Sequence, residues 1–320
     1  MPLPTIDDIR QAAARIKPYA HHTPVLTCTS LDHMTNAQLF FKCENFQKVG
    51  AFKFRGACNT VFSLSNTEAE RGVATHSSGN HGAALALAAQ LRHIPAHIVM
   101  PHNAPQVKRE AIAGYGAHII WCAPTQADRE ATIQRVVNET GAVFAHPSND
   151  ARVIAGQGTA ALELHDDVPN LDMVLAPVGG GGLISGIALA MAALSPRTRV
   201  VAVEPNGADD AYRSLQSGTI QPSIHPQTIA DGLRTSLGDL TFPIIQQHVE
   251  QIVTVSEDAI IHAMRQVWER MKIVIEPSSA VPVAAVLDQQ IEVSGLRVGI
   301  VLSGGNVDLD TLPWGSCPIH

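Results

Sequence analysis

Short β-branched segments alternate with alanine-rich helical segments along most of the chain, and this alternation restricts the possible folds more than any other feature. In the first half the pairs are, by residue number, 72–75 with 83–91, 97–100 with 106–115, and 118–122 with 128–139. Nearly unbroken apolar runs follow at 173–177, 200–203 and 297–302, which indicates strands buried on both faces. The sequence therefore predicts an α/β protein with open parallel sheets and helices on both faces.

The length of the chain favours two domains. A chain of 320 residues is too long for one small hydrophobic core and too short for three ordinary domains. No Gly/Ser-rich linker divides the sequence, so we expect the chain to cross between the domains more than once. Thr5 and Asp8 have the spacing of a capping box, and the helical periodicity after them stops at Pro18, which predicts an amphipathic helix at the start.

Charge and composition argue against several classes of protein. The formal charge is −7 with no block of like charges, which disfavours nucleic acid as a partner. No apolar run approaches the roughly 20 residues that cross a bilayer, so no membrane span is expected. The start of the chain carries acids and prolines in place of a basic and apolar leader, which predicts a cytoplasmic protein. Free thiols are expected at the cysteines, which lack C-x-x-C spacing: Cys28, Cys43, Cys58, Cys122 and Cys317.

A run of glycines joins the strand at 173–177 to the helical segment at 183–194. Residues without Cβ atoms let successive backbone N–H groups converge on an anion, and the helix dipole adds positive potential, so the run predicts a phosphate site. The run is Gly179, Gly180, Gly181 and Gly182. Two other interpretations stay open: a tight packing turn, or a dinucleotide fingerprint of Gly180, Gly182 and Gly186 with Glu204 on a ribose hydroxyl.

Two further strands end in polar loops. His76 to Gly82 contains hydroxyls and an amide at a helix start, which suits a carboxylate and a phenolic oxygen. The alternative is a simple helix cap formed by Ser77 or Ser78. Residues 303–306 read Ser-Gly-Gly-Asn after the last strand. Open α/β sheets bind ligands at the carboxyl ends of their strands, so these loops are candidate ligand contacts.

Lys53 lies between two phenylalanines at the expected start of a helix. A single lysine is usually a solvated surface charge. Here the apolar side chains of Phe52 and Phe54 can desolvate the ammonium and lower its pKa, as an amine that forms a Schiff base requires.

Taken together, these motifs resemble the pyridoxal-phosphate enzymes of the serine/threonine dehydratase family. The similar segments span nearly the whole chain: residues 51–56, 77–82, 179–182 and 303–306. Residues 76–82, 154–159 and 204–210 are most similar to the branch that holds serine racemase and the 3-hydroxyaspartate dehydratases.

The resemblance implies a role for each motif. Lys53 would hold pyridoxal 5'-phosphate as an imine, with Phe52 near its ring and Asn80 on the ring hydroxyl oxygen. Gly179 to Gly182 would bind the phosphate, and Ser303 would contact the pyridine nitrogen. A neutral hydroxyl at that nitrogen makes the ring a weaker electron sink than a carboxylate would, which favours loss of a β-hydroxyl over a long-lived carbanion.

The reaction that the resemblance implies is dehydration of serine, threonine or 3-hydroxyaspartate to a 2-oxo acid and ammonia. Lys53 would remove the Cα proton, and Ser77, Asn80 and His81 would bind the substrate carboxylate. Ser78 would lie on the face opposite the lysine, where it permits racemisation.

Two other sets of residues match family positions. Arg129 and Ser236 would face the substrate, and a bidentate pair between Arg129 and a distal carboxylate would favour 3-hydroxyaspartate. Arg129 as an ordinary surface charge is the alternative. Glu204, Asp210 and the main-chain carbonyl of Ala208 would form an all-oxygen site for Mg2+ or Ca2+, or else an acid here caps the helix after Pro205.

The family also implies a homodimer and a cofactor that lies in a cleft between two domains. We expect a large domain of residues 1–65 and 150–320 and a small mobile domain of 66–149. Two other activities stay open: a β-replacement synthase of the cysteine-synthase kind and a nicotinamide-dependent oxidoreductase.

Overall fold

The computed structural model describes residues 3–104 and 106–314, and the predicted alternation of strands and helices runs through them. The helices are α1 Ile6–Ile16, α2 Thr29–Thr35, α3 Lys53–Ser63, α4 Asn66–Arg71, α5 Asn80–Arg92, α6 Gln106–Gly114, α7 Gln126–Thr140, α8 Ala151–Asp167, α9 Gly182–Leu194, α10 Asp210–Ser217, α11 Thr241–His248, α12 Glu257–Met271 and α13 Pro277–Leu287. The strands are β1 Val25–Leu26, β2 Gln38–Cys43, β3 Val73–His76, β4 Ala96–Pro101, β5 His118–Cys122, β6 Val143–Phe144, β7 Met173–Pro177, β8 Arg199–Pro205, β9 Gln251–Val255 and β10 Arg297–Leu302.

The larger sheet has six strands in the order β1-β2-β10-β7-β8-β9. Ile300 of β10 is in register with Phe41 on one side and Leu175 on the other, both in parallel strands. Strand β1 departs from the expected parallel pattern, since it pairs antiparallel with β2. The chain reverses through α2 between these strands, which places the two-residue β1 at the edge.

The smaller sheet contains four parallel strands in the order β5-β4-β3-β6. All of them lie between Val73 and Phe144, within the segment for which a small domain was expected. The boundaries of that domain at residues 65/66 and 149/150 stay a prediction.

Helices cover both faces of the larger sheet, as predicted. Leu175 packs in a cluster with Val201 of β8 and Val281 of α13, whereas its neighbour Val174 packs with Ile187 of α9 and with Ala202. Because alternate side chains of a strand point to opposite faces, neighbouring residues of β7 enter two different layers of the core. Both layers are apolar, which explains the unbroken hydrophobic runs in the sequence.

The capping box at the start of the chain is confirmed. The hydroxyl of Thr5 accepts a hydrogen bond from the backbone N–H of Asp8, whose carboxylate in turn accepts the N–H of Thr5. The helix then runs to Ile16, and its apolar face is buried.

Four cysteines are free thiols, as expected: Cys28, Cys43, Cys58 and Cys122. Cys317 lies outside the described residues. Within residues 3–104 and 106–314, no helix is both long enough and apolar enough to cross a membrane.

Candidate active site

A cavity of about 650 Å³ lies where strands of both sheets end. The residues predicted from the sequence that line it are Phe52, Lys53, Ser77, Ser78, Asn80, His81, Arg129, Gly179, Gly180, Gly181, Gly182, Ser236 and Ser303. Strands β3, β7 and β10 run parallel to their neighbours, so their carboxyl ends deliver these loops to one place. The three proposed metal ligands, Glu204, Ala208 and Asp210, do not line this cavity.

Lys53 is the first residue of α3, and its amine is enclosed although part of the side chain is accessible from the cavity. The Nζ atom donates a hydrogen bond of 2.8 Å to the carbonyl of Pro147 and lies 5.1 Å from the centre of the Phe52 ring. Burial lowers the pKa of Lys53 to about 8, against the opposing effect of the Glu276 carboxylate. An amine with such a pKa is available as a nucleophile and base near neutral pH.

The glycine run has the backbone conformation and close packing that only glycine allows. Gly181 has φ +83°, in the left-handed region, and a Cβ there would lie 2.8 Å from Cβ of Thr241. A Cβ on Gly182 would lie 3.0 Å from Cα of Ser148. The run ends at the N-terminus of α9, where unpaired N–H groups and the helix dipole favour an anion.

Glu204 does not occupy the position that the dinucleotide interpretation requires. It lies outside the cavity, and its two carboxylate oxygens accept the backbone N–H groups of Ala211 at 3.0 Å and Tyr212 at 2.9 Å. The carboxylate therefore contacts the first turn of α10, as the capping alternative expected, while each of its oxygens keeps a lone pair for a cation.

The loop between β3 and α5 presents donors to the cavity. The helix begins at Asn80 after Gly79, and no side chain caps it, so neither Ser77 nor Ser78 has the capping role that was the alternative. The side-chain amide of Asn80 donates to both oxygens of Glu276 at 3.1 Å, and its oxygen accepts from Asn306 at 3.0 Å. These contacts fix the orientation of the Asn80 amide.

His81 is buried in the cavity wall, and one of its ring nitrogens has a hydrogen-bond partner. Nε2 faces the carbonyl of Ala145 at 3.1 Å, which requires the proton on that nitrogen. Burial lowers the pKa of His81 to about 3, with a further contribution from Lys53. Because the neutral ring donates its proton to the carbonyl of Ala145, the backbone N–H of His81 is the group that can donate to a substrate carboxylate.

His146 lies in the cavity wall and was not predicted, whereas His76 belongs to the loop that was. Nδ1 of His146 accepts the backbone N–H groups of Ser148 at 3.2 Å and Asn149 at 2.8 Å, so its proton is on Nε2. Burial lowers the pKa of His146 to about 4, aided by His76, whose ring centre lies 5.9 Å away. His146 follows the two-residue strand β6, which is too short to predict from periodicity, so the sequence carried no signal for it.

Glu276 is a second residue that sequence reasoning missed. It is buried beside Lys53 and Asn80, and it precedes Pro277 at the start of α13. Proline is common at the first position of a helix, and an acid before it is an ordinary way for a helix to begin. The motif therefore gave no reason to expect that Glu276 contacts Asn80, 196 residues earlier.

Arg129 and Ser236 lie in the cavity wall. The Nε atom of Arg129 is buried without a hydrogen-bond partner in the part of the chain that the structure describes, whereas the alternative was a solvated surface charge. The hydroxyl of Ser236 accepts the backbone N–H of Ser223 at 2.8 Å. A buried guanidinium nitrogen that lacks a partner suits an anionic ligand.

The carboxylates proposed for a metal lie together but are only partly satisfied. Asp210 is buried, and neither of its oxygens has a hydrogen bond of ordinary geometry within residues 3–104 and 106–314. Burial raises the pKa of Asp210 to about 6, with partial opposition from the Ser223 hydroxyl, and raises that of Glu204 to about 9. Buried oxygens without partners, near a second carboxylate, are of the kind that a hard divalent cation prefers.

Comparison with known proteins identifies the family of the chain. Residues 16–304 match the family model described as "Pyridoxal-phosphate dependent enzyme". The chain belongs to this family. It is therefore a pyridoxal-phosphate-dependent enzyme, and the cavity that contains Lys53 and the glycine run has the donors that this cofactor needs.

Several relatives are similar over nearly their whole length. The chain is 52% identical to the β-hydroxyaspartate dehydratase of Paracoccus denitrificans, with 98% of this chain and 100% of the relative covered. Among solved structures, maize serine racemase has TM-score 0.95 and 50% identity, covering 97% of this chain and 96% of the other. A threonine deaminase from T.th. has TM-score 0.91 and 44% identity, with 95% and 99% covered. These structures confirm the predicted α/β fold.

Proposed function

We propose that the protein removes water and ammonia from a small β-hydroxy amino acid to give a 2-oxo acid, using pyridoxal phosphate attached to Lys53. The observation that carries this proposal is the enclosed amine of Lys53 in one cavity with the glycine run and the Asn80 loop. The names of the relatives, a hydroxyaspartate dehydratase, serine racemases and a threonine deaminase, support the same class of substrate.

The residues of the cavity divide the work as follows. When bound, pyridoxal phosphate supplies an electron sink for the bond that breaks at Cα. Lys53, with a pKa of about 8, takes up the Cα proton once its amine is free. The hydroxyl of Ser77 and the N–H groups at the start of α5 bind the substrate carboxylate. Asn80 holds the ring hydroxyl oxygen, Ser303 the ring nitrogen, and Gly179 to Gly182 the phosphate.

A second activity is supported by Ser78. Its hydroxyl lines the cavity in the loop before α5, and in our proposal it lies on the substrate face opposite Lys53. A proton returned from that face gives the mirror-image amino acid. The protein would then act as both dehydratase and racemase on serine.

Arg129 supports 3-hydroxyaspartate as the preferred substrate. Its buried Nε has no partner in the described part of the chain, and the cavity also presents the Nε2–H of His146. A second carboxylate on the substrate would pair with the guanidinium in a bidentate manner. Ser236 completes this wall of the cavity.

The decisive experiment is a panel of serine, threonine and 3-hydroxyaspartate stereoisomers, assayed for oxo acid, ammonia and inversion at Cα. We expect oxo acid without any added nucleophile. Arg129→Met should lower kcat/KM for both substrates by different factors. The factor for 3-hydroxyaspartate should be at least about ten times the factor for serine, because one hydrogen bond to a charged group is lost only with the former. A protein that forms product only with an added nucleophile is a β-replacement synthase, and that result would refute the proposal.

We further propose that Mg2+ or Ca2+ binds Glu204, Asp210 and the carbonyl of Ala208. Ca2+ should raise the melting temperature of the wild type, because a ligand that binds only the folded state stabilises it. Asp210→Asn should abolish this rise. Asp209→Asn is the matched control, since that carboxylate is paired with Arg213 at 2.8 Å. Equal responses of the two variants would exclude the site.

The remaining expectations concern the whole enzyme. We propose a cytoplasmic homodimer in which residues 66–149 move as a small domain against residues 1–65 and 150–320. Closure would bring Ser77 to His81 onto the substrate and exclude water.

A further inference from the structure

Residues 154–159 of α8, one of the segments that resemble the dehydratase family, lie outside the cavity. They pack instead against α3, the helix that begins at Lys53. The two helices touch through their backbones, since a Cβ on Gly156 would lie 2.6 Å from Cα of Gly56. The segment therefore acts on the cavity, if at all, through the helix that carries Lys53.

Gln157 reaches from α8 into the first turn of α3. Its side chain is fully buried, and Oε1 accepts the backbone N–H of Gly56 at 3.1 Å. A backbone N–H can only donate, so this contact fixes which end of the Gln157 amide faces α3.

The first turn of α3 is built differently from that of other helices. In α1 and α8 the N–H of the fourth residue donates to the carbonyl of the residue before the helix. In α3 the fourth residue is Gly56, and its N–H donates to Gln157, while the carbonyl of Phe52 accepts the N–H of Arg55 at 3.0 Å. A side chain of α8 thus shapes the turn that carries Lys53.

Polar contacts on either side of Gly56 also join α3 to α8. The buried guanidinium of Arg55 donates to both oxygens of Glu163 at 2.7 Å. The side-chain amide of Asn59 donates to the carbonyl of Arg152 at 2.7 Å. Because α3 is attached to α8 at three successive places, the direction of its first residue depends on α8.

The chain just before α8 contacts the other end of the Lys53 side chain. Nζ of Lys53 donates to the carbonyl of Pro147 at 2.8 Å, and α8 begins at Ala151. The backbone and the amine of Lys53 are therefore both located relative to residues 147–159. Such precision matters for a base, because a displacement of about 1 Å can lower a rate about a hundredfold.

We propose that Gln157 is a positioning residue for Lys53: by accepting the N–H of Gly56 it sets the first turn of α3, and with it the direction of the amine that takes up the Cα proton. The oxygen of the side chain carries this role, since Nε2 has no hydrogen-bond partner within residues 3–104 and 106–314. The proposal rests on the proposed function, because it takes Lys53 as the base at Cα.

The test uses the loaded enzyme and two substitutions that differ in the acceptor. Gln157→Met keeps the approximate volume of the side chain and removes the oxygen. Gln157→Glu keeps an oxygen for the Gly56 N–H and replaces only the nitrogen that has no partner. The measurements are kcat, KM and the primary isotope effect on kcat, with the most active substrate of the panel deuterated at Cα.

In Gln157→Met we expect kcat to fall about tenfold, the worth of one hydrogen bond, with KM changed by less than about twofold. The isotope effect should increase, because transfer of the Cα proton becomes slower relative to the other steps. Gln157→Glu should keep both kcat and the isotope effect near those of the wild type. If Gln157→Met does not fold, Gln157→Ala also lacks the oxygen and carries the same expectation.

Leu162→Ala is the matched control, a partly buried residue of the same helix that packs into the core away from α3. It should lower the melting temperature and leave the isotope effect unchanged. A wild-type isotope effect in Gln157→Met overturns the inference, as does an equal loss of kcat in Gln157→Glu. Wild-type protein that takes up no cofactor at Lys53 overturns the proposed function and this inference with it, whereas loaded Gln157→Met that behaves as wild type overturns this inference alone.

Discussion

Two opposed effects act on the amine of Lys53. Enclosure by the cavity wall lowers its pKa to about 8, and the carboxylate of Glu276 limits that fall by stabilising the ammonium. The apolar flanks predicted the first effect from the sequence. The second depends on a residue more than 200 positions away in the chain, and local sequence carries no information about such a contact.

The pH dependence of cofactor uptake measures this balance. Only the unprotonated amine attacks the aldehyde, so the uptake rate of cofactor-free protein should rise with pH through about 8. Glu276→Gln removes the charge that favours the ammonium and should move the midpoint to lower pH. Glu250→Gln, remote from the cavity and paired with Arg199, should leave it in place. A midpoint that Glu276→Gln does not change would contradict this account of Lys53.

Burial of His146 in the cavity wall makes the free energy of unfolding depend on pH in the acid range. The unfolded protein protonates this ring near pH 6.5, but the folded protein does so only near pH 4 because of burial. The contribution of the neutral ring is complete above pH 6.5 and is lost as the pH falls towards 4, by up to ~3 kcal/mol. Glu204 acts in the opposite sense, since its pKa is raised to about 9.

The variant His146→Asn separates the effect of His146 from the opposite effect of Glu204. The difference in unfolding free energy between wild type and His146→Asn should shrink as the pH falls from 7 to about 4.5, measured by urea denaturation. The exposed His225→Asn serves as the control for the substitution itself. A difference for His146→Asn that does not change with pH would show that its ring titrates normally in the folded state.

At the scale of elements, the turn from β7 into α9 has the clearest sequence signature. Gly181 caps α9 in the left-handed conformation, and no other residue type fits there without strain.

The predicted strands and helices agree with the structure wherever apolar residues recur over a full period. Strands β1 and β6 are two residues long and have no period to read, so the antiparallel edge of the larger sheet could not be foreseen.

Gly181→Ala tests the role of this turn. The left-handed conformation costs a non-glycine residue about 1–2 kcal/mol, and the new methyl group would contact Thr241. Affinity for pyridoxal phosphate should therefore fall about tenfold or more, as measured by equilibrium dialysis. Gly114→Ala is the control, because a Cβ there meets no atom within 4 Å. Equal affinity in both variants would remove the glycine run from the phosphate site.

At the scale of the whole molecule, the candidate active site forms because the chain passes between two sheets more than once. Lys53 precedes the smaller sheet, Asn80 follows one of its strands, and Ser303 follows the last strand of the larger one. Motifs that flank strands could be predicted, since the carboxyl ends of parallel strands converge. Contacts between separate motifs, such as Glu276 with Asn80 and Lys53 with Pro147, needed the folded structure.

The attachment of the cofactor to Lys53 is the central claim, and reduction with borohydride followed by peptide mapping tests it most directly. The account predicts a phosphopyridoxyl group on Lys53 alone, and loss of both the label and the visible absorbance in Lys53→Ala. A phosphopyridoxyl label on another lysine would contradict the claim. So would a Lys53→Ala protein that still carries the label after reduction.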